Sequence, residues 1–165
     1  AGGCINQTCR VSSKRGDLFL KVNTENLVSM FEAEYFGLLE IRASKSISAP
    51  EPLVYGHDEK YAYLLMEYVD IEGQPNWELM GQQLALMHRT TKAEYGWKRN
   101  NTIGSTLQVN AKSESWLNFY KDSRLAFQID LARKNGLKLS HAEKLLNNLD
   151  SFFESRVPPI GTPFS

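Results

Sequence analysis

A lysine and a glutamate interrupt the apolar patterns of two consecutive segments. Lys21 lies within Leu-Phe-Leu-Lys-Val, a run whose other residues favour a β-strand. Glu34 lies on the apolar stripe of the next segment, which is predicted to be helical. Because pairing offsets the cost of burying either charge, we predict a Lys21–Glu34 ion pair. A lysine held in this way after a glycine-rich turn is typical of a nucleotide-phosphate site, and a core salt bridge or a lysine reaching solvent are the alternatives.

A glycine-rich turn and a later apolar strand complete the pattern around the lysine. The sequence opens Gly-Gly-Cys-Ile-Asn, and these glycines allow a close approach of the backbone to a phosphate. The strand Leu-Leu-Met-Glu-Tyr-Val predicts a hinge, with the backbone of Glu67 and Val69 at an adenine edge and Met66 behind it. A core Met66 and a merely exposed Glu67 are the alternative. The residues predicted to contact a nucleotide are Gly2, Gly3, Cys4, Ile5, Asn6, Lys21, Glu34, Met66, Glu67, Tyr68 and Val69.

The front of the chain is predicted to be β-rich. Residues 1–22 read as turn, strand, turn and strand, and residues 23–44 as a helix with apolar residues at helical spacing. A proline-containing loop, a short strand and a hairpin turn lead to the strand over residues 61–69. This order of elements is that of the small lobe of a protein kinase. We predict an ATP-binding small lobe over residues 1–69.

The back of the chain is predicted to be helical. Residues 70–76 form a hinge or linker, and residues 77–165 form part of a helical large lobe, so the fold class is α+β. A long polar loop over residues 94–114 separates the first helix from the second. The predicted helices cover residues 77–91, 115–136 and 139–156, the last of them capped by Ser140.

The composition excludes several classes of protein. The 165 residues are 42% hydrophobic, with 19 basic and 19 acidic residues and a formal net charge of +0, which argues against a nucleic-acid binder. No apolar run is long enough for a membrane span, and no signal-peptide pattern is present. Cys4 and Cys9 lack zinc-site spacing, which favours a reducing, cytoplasmic setting. A redox-sensitive Cys4 thiolate, or a pairing of Cys4 with Cys9, is a further option.

Segments along nearly the whole chain carry a family pattern. They are GGCIN, LFLKVN, MFEAEYFGL, PEPLVYG, YLLMEYV, MGQQLALMH, YGWKRNNTIGSTLQVN and SWLNFYKDSRLAFQIDLA. The chain resembles the fructosamine kinase (ketosamine-3-kinase) family, which is related to aminoglycoside phosphotransferases and choline kinases. The last two segments are the most specific, because the earlier ones alone would fit aminoglycoside kinases equally well.

The resemblance implies a two-lobed, protein-kinase-like fold that uses ATP and Mg²⁺. It implies phosphorylation of a sugar hydroxyl of a ketosamine, on a free amine or on a glycated protein lysine, as a deglycation step. By the same resemblance, Lys21 would hold the α- and β-phosphates, Glu34 would hold Lys21, and the turn of residues 2–6 would cover the phosphates. Residues 66–69 would be the hinge.

The sequence departs from the family in one respect. The family's His-Gly-Asp-Leu-Trp segment, whose aspartate is the catalytic base, is absent from these residues, since His141 precedes Ala142. The later aspartate that binds Mg²⁺ is absent as well. We therefore expect a fragment that does not catalyse by itself and whose apolar helix faces favour self-association.

Four residues of the helical part have two interpretations. They line the acceptor cleft, or they tie down the polar loop and pack the core; they are Asn101, Asn110, Trp116 and Arg124. Two rival functions also stay open. One is a related kinase for aminoglycosides or choline, and the other is a non-catalytic nucleotide-binding or interaction module.

Overall fold

The computed structural model describes residues 6–14 and 16–153, which fall into two compact units. The first comprises Ala1–Arg89 and Asn101–Thr106, and the second comprises Thr90–Asn100 and Leu107–Ser165. The predicted hinge at residues 70–76 falls within the first unit. The division into functional lobes at that hinge stays a prediction.

An antiparallel sheet forms the frame of the first unit. Its strands, in spatial order β1-β2-β4-β3, are β1 (Gln7–Ser13), β2 (Gly16–Thr24), β3 (Pro52–His57) and β4 (Tyr61–Glu67). The register sets Phe19 opposite Met66 and Lys21 opposite Leu64. Directly opposed residues point to the same face of a sheet. Phe19 and Lys21 therefore share the face that carries the buried Leu64 and Met66.

Helix α1 (Val28–Ala43) covers this face of the sheet, after a 3-10 turn over Glu25–Leu27. The core between helix and sheet consists of Phe31, Ala62, Leu64 and Met66. The predicted helical periodicity is confirmed, although α1 begins later than residue 23 because residues 23 and 24 still belong to β2.

Helix α2 (Trp77–His88) follows the predicted hinge, also in the first unit. The side-chain oxygen of Asn76 accepts a hydrogen bond from the Leu79 N–H at 2.9 Å and so caps the helix. This cap fixes the residue at which α2 begins.

The second unit is built on a long helix with a π-helical interior. Helix α3 (Trp116–Tyr120) continues through a π-helical segment (Lys121–Ala126) into α4 (Phe127–Lys134). The predicted amphipathic helix over residues 115–136 is therefore confirmed, with one irregular stretch inside it. Two short helices follow, α5 (Ala142–Asn147) and α6 (Asp150–Phe153).

Two predictions for the back half were wrong. The polar loop over residues 94–114 contains a hairpin of β5 (Asn101–Ile103) and β6 (Thr106–Gln108), which turns where Gly104 has a φ of 60°. The helix predicted over residues 139–156 is interrupted between α5 and α6. Ser140 does not cap it, because His141 precedes α5 with a φ of 72°, and a left-handed residue cannot continue a right-handed helix.

Within residues 6–14 and 16–153, no helix is both long enough and apolar enough to cross a bilayer.

Candidate functional site

The predicted ion pair between strand and helix is present. Lys21 Nζ on β2 lies 2.5 Å from Glu34 Oε1 on α1. The pair forms because β2 directs Lys21 towards the face that α1 covers, and Glu34 lies on the α1 surface turned to that face. The side chains of Lys21 and Glu34 keep 24% and 29% of their exposure, so solvent reaches the charges. The structure therefore does not bury this salt bridge fully.

The predicted glycine-rich turn is represented in the described residues by its last member, Asn6. The Asn23 side-chain amide donates to Asn6 Oδ1 at 2.7 Å, and Asn23 lies two residues beyond Lys21 on the same strand. This bond ties the end of the turn to β2 near the lysine. Gly2, Gly3, Cys4 and Ile5, with the redox and pairing predictions for Cys4, lie outside the described residues. Cys9 is a free, exposed cysteine on β1.

The predicted hinge begins where β4 ends. Met66 is 4% exposed and belongs to the core of the first unit, and a place for it behind an adenine stays a prediction. The Glu67 N–H donates to the Glu51 carbonyl at 2.8 Å, so an adenine contact at Glu67 would use its own carbonyl. Glu67 Oε2 accepts the Glu51 N–H at 3.0 Å. Val69 is 48% exposed, which leaves it accessible.

A cluster at the same end of the sheet was not predicted. Arg10 on β1 donates through Nε to Asp17 Oδ2 at 2.8 Å, and Ser12 Oγ donates to Asp17 Oδ1 at 2.8 Å. These bonds lower the pKa of Asp17. The Arg10 guanidinium carbon lies 4.5 Å from the centre of the Tyr68 ring. The only sequence signal was a cation and an anion on either side of a tight turn, which says nothing about Tyr68.

An open cavity of about 720 Å³ adjoins the hinge residues. Its walls include Arg42, Pro50, Glu67 and Ile71, and Arg42 Nη1 donates to the Ala49 carbonyl at 2.6 Å. Arg42 Nη1 also lies 3.9 Å from Glu67 Oε2. The end of α1 and the loop after it thus hold the start of the hinge.

The second unit brings two of the four predicted cleft residues together. Arg124 in the π-helical segment donates through Nη2 to Asn110 Oδ1 at 2.8 Å and through Nη1 to the Val109 carbonyl. Asn110 is 5% exposed and donates to the Arg99 carbonyl at 3.1 Å. Burial lowers the pKa of Arg124. These contacts show both residues holding the polar segment, which was one of their two interpretations.

The other two residues of that set have different surroundings. The Trp116 ring packs 5.3 Å from the ring of Tyr95 and 5.9 Å from that of Phe119, measured between centres. Its indole Nε1 is shielded and has no hydrogen-bond partner within the described part of the chain. Asn101 lies in β5, which belongs to the first unit.

The geometry can be matched to the groups that the resemblance implies. A partly exposed ammonium held by a carboxylate, as at Lys21, fits a nucleotide phosphate. Within residues 6–14 and 16–153 there is no cluster of three or more His, Cys, Asp or Glu side chains that could hold a metal ion. We therefore assign no metal ligand and derive no step from the metal.

Comparison with solved structures defines the class of protein. The fold matches that of a protein assigned as a fructosamine-3-kinase from Haemophilus somnus 129PT, with a TM-score of 0.85 and 20% identity, over 96% of this chain and 55% of that one. A second such protein, from Thermobifida fusca YX-ER1, matches with a TM-score of 0.72 and 28% identity, over 96% and 57% of the two chains. The chain therefore has the mixed α+β, protein-kinase-like fold of these proteins.

Comparison with known sequences then gives the family. The model of the fructosamine kinase family matches residues 1–160. A protein from Synechocystis sp. named as a probable ketoamine kinase is 37% identical over 81% of this chain and 46% of its own length. The chloroplastic protein-ribulosamine 3-kinase of Arabidopsis thaliana is 34% identical over 94% of this chain and 50% of its own. The chain belongs to the fructosamine kinase family, and it spans about half the length of these relatives.

Proposed function

We propose that the whole protein is an ATP-dependent kinase that phosphorylates a sugar hydroxyl of ketosamines, as small molecules or as glycated protein lysines. The observation that carries the proposal is the partly exposed Lys21–Glu34 pair, with a Nζ to Oε1 distance of 2.5 Å. Membership of the fructosamine kinase family supports it, as do relatives named ketoamine kinase and protein-ribulosamine 3-kinase. Deglycation and a cytoplasmic location stay predictions.

The residues of this chain would bind and orient the nucleotide. An ammonium has three donors, so Lys21 can contact Glu34 and still offer N–H groups to the α- and β-phosphates. Glu34 holds the ammonium in place before the nucleotide arrives, which reduces the ordering needed on binding. Mg²⁺, when bound to the phosphates, supplies further positive charge. Proton removal from the sugar hydroxyl is assigned to no residue of this chain.

Nucleotide binding is tested by titrating Mg-ATP into the chain and into Lys21→Met. We expect saturable binding by the unsubstituted chain and at least a tenfold weaker Kd in the variant, because charge-assisted bonds to a phosphate contribute about 1.5–3 kcal/mol. Calorimetry gives both constants directly. Glu34→Gln should weaken binding less, because the lysine stays but is oriented less firmly.

The chain offers a matched control for this experiment. Lys112 Nζ lies 2.8 Å from Glu94 Oε2 in a similar pair, with side chains that are 59% and 39% exposed. Lys112→Met should leave the Kd for Mg-ATP unchanged. Equal weakening in both lysine variants would show a general charge effect and contradict a phosphate role for Lys21.

Substrate class is tested on the complete gene product. We expect transfer of phosphate from ATP to a ketosamine, and not to an aminoglycoside or choline, in a coupled assay for ADP. The 165-residue chain, assayed in parallel, is expected to be inactive because phosphoryl transfer requires a positioned nucleophile and metal charge. Phosphorylation of choline or an aminoglycoside alone would replace the substrate assignment, and nucleotide binding without transfer by the complete protein would favour a binding module.

A further inference from the structure

Arg10 links the two sequence-distant segments that would enclose a nucleotide base. It lies on β1, the strand that follows the predicted glycine-rich turn, and its guanidinium carbon lies 4.5 Å from the centre of the Tyr68 ring in the predicted hinge. A guanidinium at this distance over an aromatic face is attracted to the electron-rich ring. The contact therefore joins the first strand of the sheet to the residue between Glu67 and Val69.

A carboxylate holds the Arg10 guanidinium in addition to the Tyr68 ring. Arg10 donates through Nε and Nη2 to Asp17 Oδ2, and Ser12 Oγ holds the other oxygen of the same carboxylate at 2.8 Å. Two donors of one guanidinium that meet the same carboxylate oxygen restrain the plane of the guanidinium. Arg10 and Asp17 are both charged near neutral pH, because their contact raises the pKa of Arg10 and lowers the pKa of Asp17. The ion pair between these two side chains is therefore kept over the physiological pH range.

The strand register places this cluster along the expected course of a nucleotide. Glu67 lies opposite Leu18, three residues from Lys21, which corresponds to about 10 Å of strand. Arg10 lies opposite Phe19, which shares a sheet face with Lys21. A nucleotide whose phosphates meet Lys21 and whose base meets the hinge would run along this face towards Arg10 and Tyr68.

The hinge has a second attachment at its other side. The Glu67 N–H and side chain are both bonded to the backbone of Glu51, and Arg42 lies 3.9 Å from the Glu67 carboxylate. Residue 67 is thus held by the loop after α1, whereas Tyr68 is held by Arg10. Loss of Arg10 would release one attachment and leave the other intact.

We propose that Arg10 is a positioning residue for the nucleotide base, acting through Tyr68 to fix the backbone of residues 67–69 against β1. The inference rests on the proposed nucleotide-binding function, and it adds a residue outside the lysine–glutamate pair to that site. Because hinge backbone groups distinguish the edge of adenine from that of guanine, Arg10 also contributes to the preference for ATP over GTP.

The test is calorimetric titration of Mg-ATP and Mg-GTP into variants of the chain. We expect Arg10→Met and Tyr68→Leu each to weaken ATP binding about twofold to fivefold, the range of a cation–aromatic contact at an exposed site. The double variant should be no weaker than either single one, because both changes remove the same contact. Arg10→Met and Tyr68→Leu should each also reduce the ratio of ATP affinity to GTP affinity.

Two controls separate positioning from general stability. Tyr68→Phe keeps the aromatic ring and should therefore weaken ATP binding less than Tyr68→Leu does. Arg133→Met removes an exposed arginine whose Nη2 lies 2.7 Å from Glu143 Oε1, and it should change neither the affinity nor the nucleotide ratio. A melting temperature measured for every variant shows how much stability each has lost.

The results of these titrations support or overturn the role of Arg10 as follows. Unchanged ATP affinity and nucleotide ratio in Arg10→Met, with Lys21→Met still impaired, would overturn the role of Arg10 and leave the proposed function standing. If the unsubstituted chain shows no saturable binding of ATP, both the role of Arg10 and the proposed nucleotide binding are overturned for this chain. If Arg10→Met fails to fold, the comparison of Tyr68→Leu with Tyr68→Phe decides, and equal binding by those two would overturn the inference.

Discussion

Lys21 and Arg124 are both partly buried cations, yet different kinds of oxygen hold them. The Lys21 ammonium lies 2.5 Å from a carboxylate oxygen of Glu34. The Arg124 guanidinium lies 2.8 Å from the amide oxygen of Asn110 and also donates to the backbone carbonyls of Val109 and Ser123. The carboxylate balances the charge of the lysine, whereas the amide and carbonyl oxygens use the donors of the arginine to hold the backbone.

The difference shows how a cation is assigned to binding or to architecture. Lys21 keeps 24% of its side-chain exposure, so a third group can approach it. Arg124 sits over the Phe119 ring at 4.5 Å and is desolvated enough to lower its pKa. We therefore expect substitutions of Lys21 to affect ligand binding more than stability, and substitutions of Arg124 to do the reverse.

The largest stability effect is expected from Arg124→Leu. This change removes the hydrogen bonds to Val109 and to the buried Asn110, and each unsatisfied buried group costs about 1–3 kcal/mol. The free energy of unfolding should fall by about 3 kcal/mol in urea denaturation. Arg133→Leu is the exposed control and should cost less than about 0.5 kcal/mol. A small loss in Arg124→Leu would contradict an architectural role for this residue.

A smaller effect is expected from Lys21→Met. Both members of its ion pair are partly exposed, and pairs of this kind contribute about 1 kcal/mol or less. Urea denaturation should therefore show a loss well below that of Arg124→Leu, while the nucleotide titration shows a large one. If Lys21→Met destabilised the chain as much as Arg124→Leu, the lysine would be a structural residue. Lys21 and Arg124 would then not differ in role.

The smallest effect concerns the exposed pair of Arg10 and Asp17 and its dependence on pH. Hydrogen bonds from Arg10 and Ser12 lower the pKa of Asp17 from its ordinary value of 3.8. A carboxyl with a lowered pKa in the folded state stabilises the fold fully above its unfolded pKa, and this contribution is lost as the pH falls through the folded pKa.

The matching variant is Asp17→Asn, which cannot titrate at this position. Its free energy of unfolding should fall less steeply than that of the unsubstituted chain below about pH 4 and run parallel to it above. Urea denaturation across this range measures both slopes. Parallel curves throughout would show that the Arg10 contact does not depend on the charge of Asp17.

The lysine–glutamate pair could be predicted because its signal is local. Each charge interrupts a periodic apolar pattern, and a strand followed by a helix packs the two patterns against each other. The same periodicity identified α1 and the long helix of the second unit. Met66 had two interpretations, because the backbone of a hinge carries no signal in side chains, and the structure places Met66 in the core.

The contacts between distant segments could not be predicted. Arg10 and Tyr68 are brought together only by the order β1-β2-β4-β3, and nothing in the sequence fixes that order. The strands β5 and β6 have three residues each, too few for an alternating pattern to appear. The left-handed backbone of His141 could not be predicted either, because histidine adopts that conformation more often than most residues do but still uncommonly.

The π-helical segment has a consequence for how this chain tolerates changes in length. A π-turn accommodates one residue more than an α-turn, so Lys121–Ala126 behaves as a stored insertion within an otherwise regular helix. Deleting one residue there would let the helix become regular, and the side chains on either side of the segment, the buried Phe119 and Ile129 among them, would keep nearly their present directions. A deletion in the α-helical parts would instead turn every later side chain by about 100° relative to those before it. The π-helical segment is therefore the part of this helix where the loss of one residue disturbs the packed surface least.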